Sequence, residues 1–501
     1  MIRPHHIAFN DLVSALKTFE DKTAIIDKDG SQHSYRELHQ LIVGAQEELI
    51  KRGVKKGDKI LVFVPMSVQL YALLEAIFSL GAVALFLDPW MKGKKMSQVI
   101  KQVEPDLFIV TKKISRIAWL LPATWKLKKW KVDALKPSTK SWEIVPTNDA
   151  DNALITFTSG TSGQPKGANR TFQFLHAQSQ TLKHHIKGED NETFVDFTNF
   201  PIVGLADFSV GNAVVIPQLN LMKIHKADAQ QIIHQLSVNR VNRLIVSPSL
   251  LAKVIYNADA TSLKNIKRVV TGGAPIPLQL IQRCIQYFPS IHFEAIYGST
   301  EAEPICISPF NEILEQLDNP LKGIYTGEPV ADIELKIIRA STNTVNSEQF
   351  DQIVCDENDI GEVVVSGNHV NKSYYQNQKA FEENKIVDRT GKIWHRTGDL
   401  GYLSNKKLYL VGRDHRIIKS EGQEYHPYPL EQHIQLKFGI SDVGYVYHKN
   451  VITFFSGDKV DTEALKSEIK KVGYPCDAVI YYGKPLPRDA RHKSKLQIES
   501  L

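Results

Sequence analysis

The chain has little cysteine, no unbroken apolar run of membrane-spanning length, no repeated or low-complexity segment and no large charge of one sign. Each shortage closes off a class of protein. Its four cysteines, Cys284, Cys306, Cys355 and Cys476, stand far apart, without a Cys-x-x-Cys spacing or a histidine at ligand distance. That argues against a disulfide framework or a zinc site and for reduced thiols. Met1-Ile2-Arg3-Pro4-His5-His6 lacks the apolar stretch of a signal peptide, so a cytoplasmic protein is expected. The longest apolar stretch, Leu61 to Leu87, contains Pro65, Gln69 and Glu75 and is broken by Gly81. It reads as strand, helix and strand inside a buried sheet rather than as a membrane span. A net charge of +6 over 501 residues is too mild for a nucleic-acid footprint, and no nucleic-acid partner is expected. With 43% hydrophobic and 23% charged residues, this length accommodates a large α/β body and a smaller appendage.

What the chain does have is alternation. Residues 24–27 and 33–36 read as a short hairpin leading into a helix over Arg36–Arg52, whose apolar positions 38, 42, 45, 49 and 50 follow a helical period. A strand Lys59–Val64, a helix Val68–Leu80 and a strand Ala82–Phe86 then complete a βαβ unit. A helix after Lys223 leads to the strand Arg243–Val246. From Ile266 a strand, the turn Thr271-Gly272-Gly273-Ala274-Pro275, a helix over 277–288 and a strand ending at Ile296 continue the pattern. This predicts an α/β fold of mostly parallel sheets covered by helices. Gly361–Gly367 opens a β-rich subdomain, and a boundary after Val411-Gly412-Arg413 divides the chain into a large domain, 1–412, and a small α+β domain, 413–501.

Between Ile114 and Lys131, Trp119, Trp125 and Trp130 alternate with Arg116, Lys126, Lys128, Lys129 and Lys131. Aromatic rings beside cations suit a lipid headgroup layer, so peripheral membrane contact is one reading. The plainer one is a solvated basic edge with its rings packed inward, and it is preferred.

The stretch that orders the rest is Thr158-Ser159-Gly160-Thr161-Ser162-Gly163-Gln164-Pro165-Lys166-Gly167, directly after the apolar run 153–157. Four hydroxyls, three glycines and a lysine in ten residues make a phosphate cradle: glycines let backbone N–H groups approach an anion, hydroxyls add donors and Lys166 adds a point charge. A Walker A loop would place Gly before the lysine and Ser or Thr after it, whereas Pro165 and Gly167 flank Lys166 here. Three further segments follow. Gly272, Gly273, Ala274 and Pro275 offer backbone that lies flat against a ligand plane. Tyr297-Gly298-Ser299-Thr300-Glu301 offers an aromatic face, hydroxyl donors and a hard oxygen for Mg²⁺. Asp399, in Trp394-His395-Arg396-Thr397-Gly398-Asp399, and Arg413 after Gly412 suit a ribose diol or a phosphate.

In this order and at these intervals, the segments resemble the motifs of the adenylate-forming superfamily of acyl-CoA synthetases, luciferases and peptide-synthetase adenylation domains. The resemblance runs from residue 35 to the C-terminus. It implies that Gly272, Gly273, Ala274 and Tyr297 hold adenine, Asp399 and Arg413 hold ribose, Thr158 to Lys166 hold the phosphates of ATP, and Glu301 helps hold magnesium. It further implies that a substrate carboxylate attacks the α-phosphorus, pyrophosphate leaves and an acyl adenylate forms, with Lys166, Thr300, Glu301 and a lysine of the C-terminal domain in catalytic roles. In Arg491-His492-Lys493-Ser494-Lys495-Leu496 that lysine is assigned to Lys495, which precedes an aliphatic residue as the family's does, with Lys493 the alternative. His415 stands where the family's hinge usually has Asp or Lys. The string Ile418-Lys419-Ser420-Glu421-Gly422-Gln423-Glu424-Tyr425-His426-Pro427 resembles the loop that serves the second half-reaction.

The acid's pocket is expected around Phe200, Gly204 and Asp207. Gly204 falls where many acyl-CoA synthetases carry His or an aromatic. Phe200, Ile202, Val203, Leu205, Phe208 and Val210 form an apolar lining suited to an acyl chain. Asp207 faintly resembles the aspartate with which amino-acid-adenylating domains hold an ammonium group, although a structural partner is the preferred reading of a buried carboxylate. The run Phe200–Pro217, the string around Glu301 and the tail Arg491–Leu496 look like one branch. That branch holds fatty-acid-CoA-ligase-like proteins, including the β-lactone synthetases of bacterial long-chain olefin pathways. The expectation is therefore a magnesium- and ATP-dependent ligase for a medium or long-chain fatty acid, passing its acyl group to CoA or a carrier-protein thiol. The alternatives are a β-lactone synthetase acting on a 3-hydroxy acid, an amino-acid ligase, or an inactive nucleotide-binding homologue.

Overall fold

The computed structural model describes residues 7–88, 91, 93–158, 165–186, 193–340, 345–488 and 496–501. Its internal contacts gather the chain into two compact units, Met1–Val246 with Asn368–Phe381, and Ser247–Gly367 with Glu382–Leu501.

The first unit is built on parallel strands. One sheet runs in the order Lys129–Val132, Leu107–Thr111, Lys59–Phe63, Val83–Leu87, Asn152–Thr158 and Lys166–Thr171, with every pair parallel except the last. Its inner strands are apolar almost throughout because both faces are covered. A second parallel set runs Arg243–Val246, Val195–Thr198, Ala213–Val215 and Thr23–Ile26, and Gln32–Ser34 closes it antiparallel. The expected hairpin therefore ends one residue before the helix Tyr35–Lys51, and Ser34 explains why. Its hydroxyl accepts from Glu37 N at 3.1 Å while Ser34 N donates to Glu37 Oε2 at 2.7 Å, a reciprocal cap. The helix Val68–Ser79, begun by Ser67 accepting from Leu70 N, packs against it and is buried along nearly its whole length.

The second unit is mainly antiparallel. Arg268–Gly272 runs parallel to His292–Ser299. Antiparallel pairing then continues through Ala302–Pro309, Ile324–Pro329, Lys407–Arg413, Ile393–Ser404, Gly361–Gly367 and Ile333–Ile338. The β-rich region thus opens at Ala302, well before Gly361. Pro304, Gly327 and Pro329 interrupt those earlier strands and mask their period in the sequence. After Arg413 comes a hairpin of Ile418–Ser420 and Gln423–Tyr425, turned by Glu421 and Gly422 at φ of 50° and 78°. A three-stranded sheet, Val443–His448, Val451–Ser456 and Ala478–Tyr481, packs with the helices Pro427–Phe438 and Thr462–Lys471 around Leu430, Ile434, Phe454 and Leu465.

The preferred reading of the tryptophan segment holds for one ring of three. Trp130 is buried, with the Arg52 guanidinium 4.5 Å from its centroid, but Trp119 and Trp125 are 64% and 60% exposed. The helix Lys112–Ala118 and the turn Pro122–Thr124 direct Ala118 and Thr124 inward, so the residues following each are carried outward. Among the described residues no helix is long and apolar enough to cross a membrane.

Within the first unit Glu75 is buried, and burial pushes its carboxyl up to about 8. The folded form then keeps a proton that the unfolded chain releases near 4.5, so stability falls as pH rises between those values. Glu75→Gln should remove this slope, at most about 1.4 kcal/mol per pH unit. Denaturant unfolding from pH 5 to 8 should show the variant gaining on the parent at each step.

Candidate active site

In the first unit, the hydroxyl-rich loop joins two antiparallel strands, with Phe157 facing Gly167 and Thr158 facing Lys166. Ser159, Gly160, Thr161, Ser162 and Gly163 lie outside the described residues, as does the side chain of Thr158. A Cβ at Gly167 would come within 2.8 Å of the Phe157 ring, so glycine lets the returning strand cross that ring. The strand bearing Lys166 is held on its other side as well, where Tyr375 N donates to Gly167 O at 2.9 Å and Asn371 Nδ2 to Asn169 O at 2.7 Å. Nothing in the sequence near Asn371 marks it as a partner of residues two hundred positions away.

Phe200 precedes the helix Pro201–Phe208, which Pro201 opens. At Gly204, where an aromatic or His is common in acyl-CoA synthetases, the neighbouring volume is occupied by Tyr71. A Cβ at 204 would stand 2.3 Å from the Tyr71 hydroxyl oxygen, which is buried and has no hydrogen-bond partner among the described residues. Asp207 points into a fully buried cluster. Arg243 donates from Nε and Nη2 to Asp196 at 2.6 and 2.5 Å, and its Nη2 lies 3.4 Å from Asp207 Oδ1, which also accepts from Asn212 Nδ2 at 3.0 Å. Two carboxylates share one guanidinium, and burial together with the Asp196 charge holds the Asp207 carboxyl well above the usual range.

In the second unit, the strand Arg268–Gly272 ends against its neighbour so closely that a Cβ at Gly272 would lie 2.7 Å from Ile296 O. Gly273 follows at φ 79°, a left-handed conformation that favours glycine. Ala274 is half-buried and Pro275 exposed. Tyr297 and Gly298 lie on the strand His292–Ser299, and because Ser299 pairs with Ala302, Thr300 and Glu301 form the two-residue tip of a hairpin. The Tyr297 hydroxyl donates to Asp399 Oδ2 at 2.8 Å, and Arg413 Nε stands 3.0 Å from Asp399 Oδ1. Asp399 and Arg413 are direct cross-strand partners, which places both on one face. Burial and the Asp399 charge raise the Tyr297 phenol well above its ordinary value. For Arg413 burial works the other way, but the charges of Asp399 and its neighbours outweigh it and the pKa rises.

Three contributors to this arrangement were not foreseen. Glu362 accepts from Arg396 Nε at 2.9 Å and Nη2 at 2.6 Å, and its other oxygen accepts from Gly398 N at 3.3 Å, which fixes the turn presenting Asp399. Tyr428 bonds the Arg413 side chain. Lys385 is buried, and burial brings its ammonium down to about 7 against the opposing charge of Glu301. Only the pairing of Lys385–Val387 with Ile393–Trp394–His395 brings this lysine inward, and no local pattern marks it. Glu301 with the Ser299 and Thr300 hydroxyls is a hard-oxygen set containing a single carboxylate. That fits a magnesium ion held largely by phosphate oxygens and water, and among the described residues no cluster of three or more His, Cys, Asp and Glu competes with it. Lys493 and Lys495 lie outside the described residues, between Arg488 and Leu496, which bridge to each other, while His415 sits in the short turn Asp414–Arg416 that follows Arg413.

The chain thus has an α/β fold, with Lys166 beginning a strand of the first unit and a glycine turn and a Tyr297–Asp399–Arg413 cluster in the second. The family model "AMP-binding enzyme" matches residues 12–375. A probable CoA ligase, CCL5, of Humulus lupulus is 25% identical over 88% of this chain and 81% of its own, and an olefin beta-lactone synthetase of Stenotrophomonas maltophilia is 26% identical over 78% and 74%. The structure of O-succinylbenzoate coenzyme A synthetase (MenE) from Bacillus subtilis in complex with ATP and magnesium has the same fold, with a TM-score of 0.79 and 21% identity over 98% and 99% of the two chains. The chain belongs to the AMP-binding enzyme family and is an adenylate-forming acid ligase.

Gly204→Ala should lower the thermal midpoint, since the added methyl meets the Tyr71 hydroxyl, whereas Tyr71→Phe should gain about 1 kcal/mol by removing a buried hydroxyl without a partner. Calorimetry of both variants checks this. Because the Lys385 pKa falls from 10.5 to about 7 on folding, its burial costs most below pH 7 and stability rises toward pH 10.5. Lys385→Met should flatten that rise in unfolding measurements between pH 7 and 10.

Proposed function

We propose that the chain uses ATP and magnesium to convert a carboxylic acid to its acyl adenylate, releasing pyrophosphate, and then passes the acyl group to CoA. The observation that carries this reading is the Tyr297–Asp399–Arg413 cluster. A carboxylate fixed by a phenol and a guanidinium keeps free lone pairs for a ribose diol, since each oxygen accepts more than one donor. On this reading Asp399 and Arg413 take the ribose. Gly272, Gly273, Ala274, Pro275, Tyr297 and Gly298 take the adenine, while Thr158 to Gly163 with Lys166 take the phosphates. Residues 1–412 form the adenylation domain and 413–501 a small domain that supplies Lys495.

Adenylation brings a carboxylate to an anionic phosphorus, so donors and cations aimed at the developing charge are the main requirement. Lys166 and Lys495 provide them, and Thr300 adds a hydroxyl. Glu301 with Ser299 would hold magnesium, which neutralises phosphate charge as pyrophosphate departs. For the second step, the thiol sulfur bonds to the acyl carbon while the bond to AMP breaks.

The substrate is assigned as a medium or long-chain fatty acid. Supporting this, Ile202 and Leu205 border, with Phe172 and Leu175, a cavity of about 60 Å³ whose lining also includes Glu75, Gln178 and Ser179. Asp207, occupied by Arg243 and Asn212, supports the helix instead of meeting the acid. A second reading, favoured by the similarity to the Stenotrophomonas β-lactone synthetase, has a 3-hydroxyl of the adenylate attack its own acyl carbon and expel AMP.

Carboxylate-dependent exchange of labelled pyrophosphate into ATP tests the first step, and exchange with other acids but with no fatty acid would overturn the substrate assignment. Mass spectrometry of products from plain and 3-hydroxy acids, with and without CoA, separates thioester from lactone. Lys495→Ala should slow exchange by about 10²–10³-fold. Full activity in that variant moves the role to Lys493.

A further inference from the structure

The surface formed by residues 112–132 contains none of the residues assigned to the acid-activating reaction, and its construction is unusual for a solvated edge. Ile117, Trp119, Leu120 and Trp125 are 61%, 64%, 61% and 60% exposed. Scattered apolar side chains on a surface need no explanation, but four between 117 and 125 form a patch. These side chains stand on a built turn. Trp125 Nε1 donates to Trp119 O at 2.8 Å, and Thr124 Oγ1 donates to Ala118 O at 3.1 Å and Leu121 O at 2.9 Å. The indole's one polar atom is therefore satisfied from within, and the rest of the ring faces outward.

Charge surrounds the patch. Residues 112–132 contain seven Lys and Arg and no Asp or Glu, and Lys113, Arg116, Lys126, Lys129 and Lys131 are exposed. Lys112 is paired with Asp133, and Lys128 with the Arg52 carbonyl. Lys129 and Lys131 alternate with buried Trp130 and Val132 on the end strand of the six-stranded sheet, where lysines discourage edge pairing. That role accounts for those two cations and leaves the exposed rings and the other cations unexplained.

We infer that this surface seats the protein on an anionic lipid bilayer, with Trp119, Leu120 and Trp125 at the headgroup level and the surrounding cations against lipid phosphate and carboxylate. An outward turn with no acidic residue to set a register fits a flat, deformable anionic layer better than the matched relief of a protein partner. The inference stands independently of the acid chosen as substrate.

The test uses the full chain with vesicles of phosphatidylcholine, with and without phosphatidylserine. The parent should co-sediment with the anionic vesicles and be released by salt. Trp119→Ala with Leu120→Ala, and separately Lys113→Gln, Arg116→Gln, Lys126→Gln and Lys129→Gln combined, should each weaken binding at least about tenfold, with lipid-free pyrophosphate exchange unchanged. Brominated phosphatidylcholine mixed with phosphatidylserine should quench tryptophan emission in the parent, and Trp119→Phe with Trp125→Phe, a milder change, should abolish that quenching. Absence of binding to anionic vesicles, or equal binding by parent and variants, overturns the inference. Retention by an acidic protein without vesicle binding overturns it too, and reassigns the patch to a protein partner.

Discussion

Asp399 accepts from a phenol at one oxygen and faces a guanidinium at the other, and the nucleotide reading depends on that contact. Tyr297 and Asp399 come from segments 102 residues apart, so they meet only if several strand registers are correct together. A slip of one residue would turn Asp399 or Arg413 to the opposite face of the sheet. Glu362 reinforces the register by gripping Arg396 and the Gly398 N–H on either side of Thr397. Gly398 stands at φ 70°, and the Thr397 hydroxyl donates to Val363 O while accepting from Asp399 N. The carboxylate is thus placed jointly by backbone hydrogen bonds and an ion pair.

The first unit spends much of its polar chemistry on structure. Arg243 is fully buried between Asp196 and Asp207, with the Phe194 ring 3.9 Å from its guanidinium carbon. One cation faces two carboxylates, and burial with the Asp196 charge raises the Asp207 carboxyl well above its ordinary value. The cluster ties the helix Pro201–Phe208 to two parallel strands through Asp207, and three residues earlier on the same face Tyr71 packs against Gly204. Glu75 and Lys385, buried in different units, show the same conflict between burial and charge, with opposite signs.

Much of this was legible in the sequence. Alternating apolar segments determined the α/β class, because periodicity is a property of neighbours in the chain, and the order of the Thr158, Gly272, Tyr297, Asp399 and Arg413 segments carried the resemblance to the family. Tertiary structure decided the rest. It packed Tyr71 against Gly204, gave Asp207 to Arg243, drew Lys385 into the interior, carried Asn371 to the strand bearing Lys166 and turned Trp119 and Trp125 outward while burying Trp130. Each of those outcomes depends on which distant residue occupies the adjoining volume, and no window of neighbouring residues contains that information.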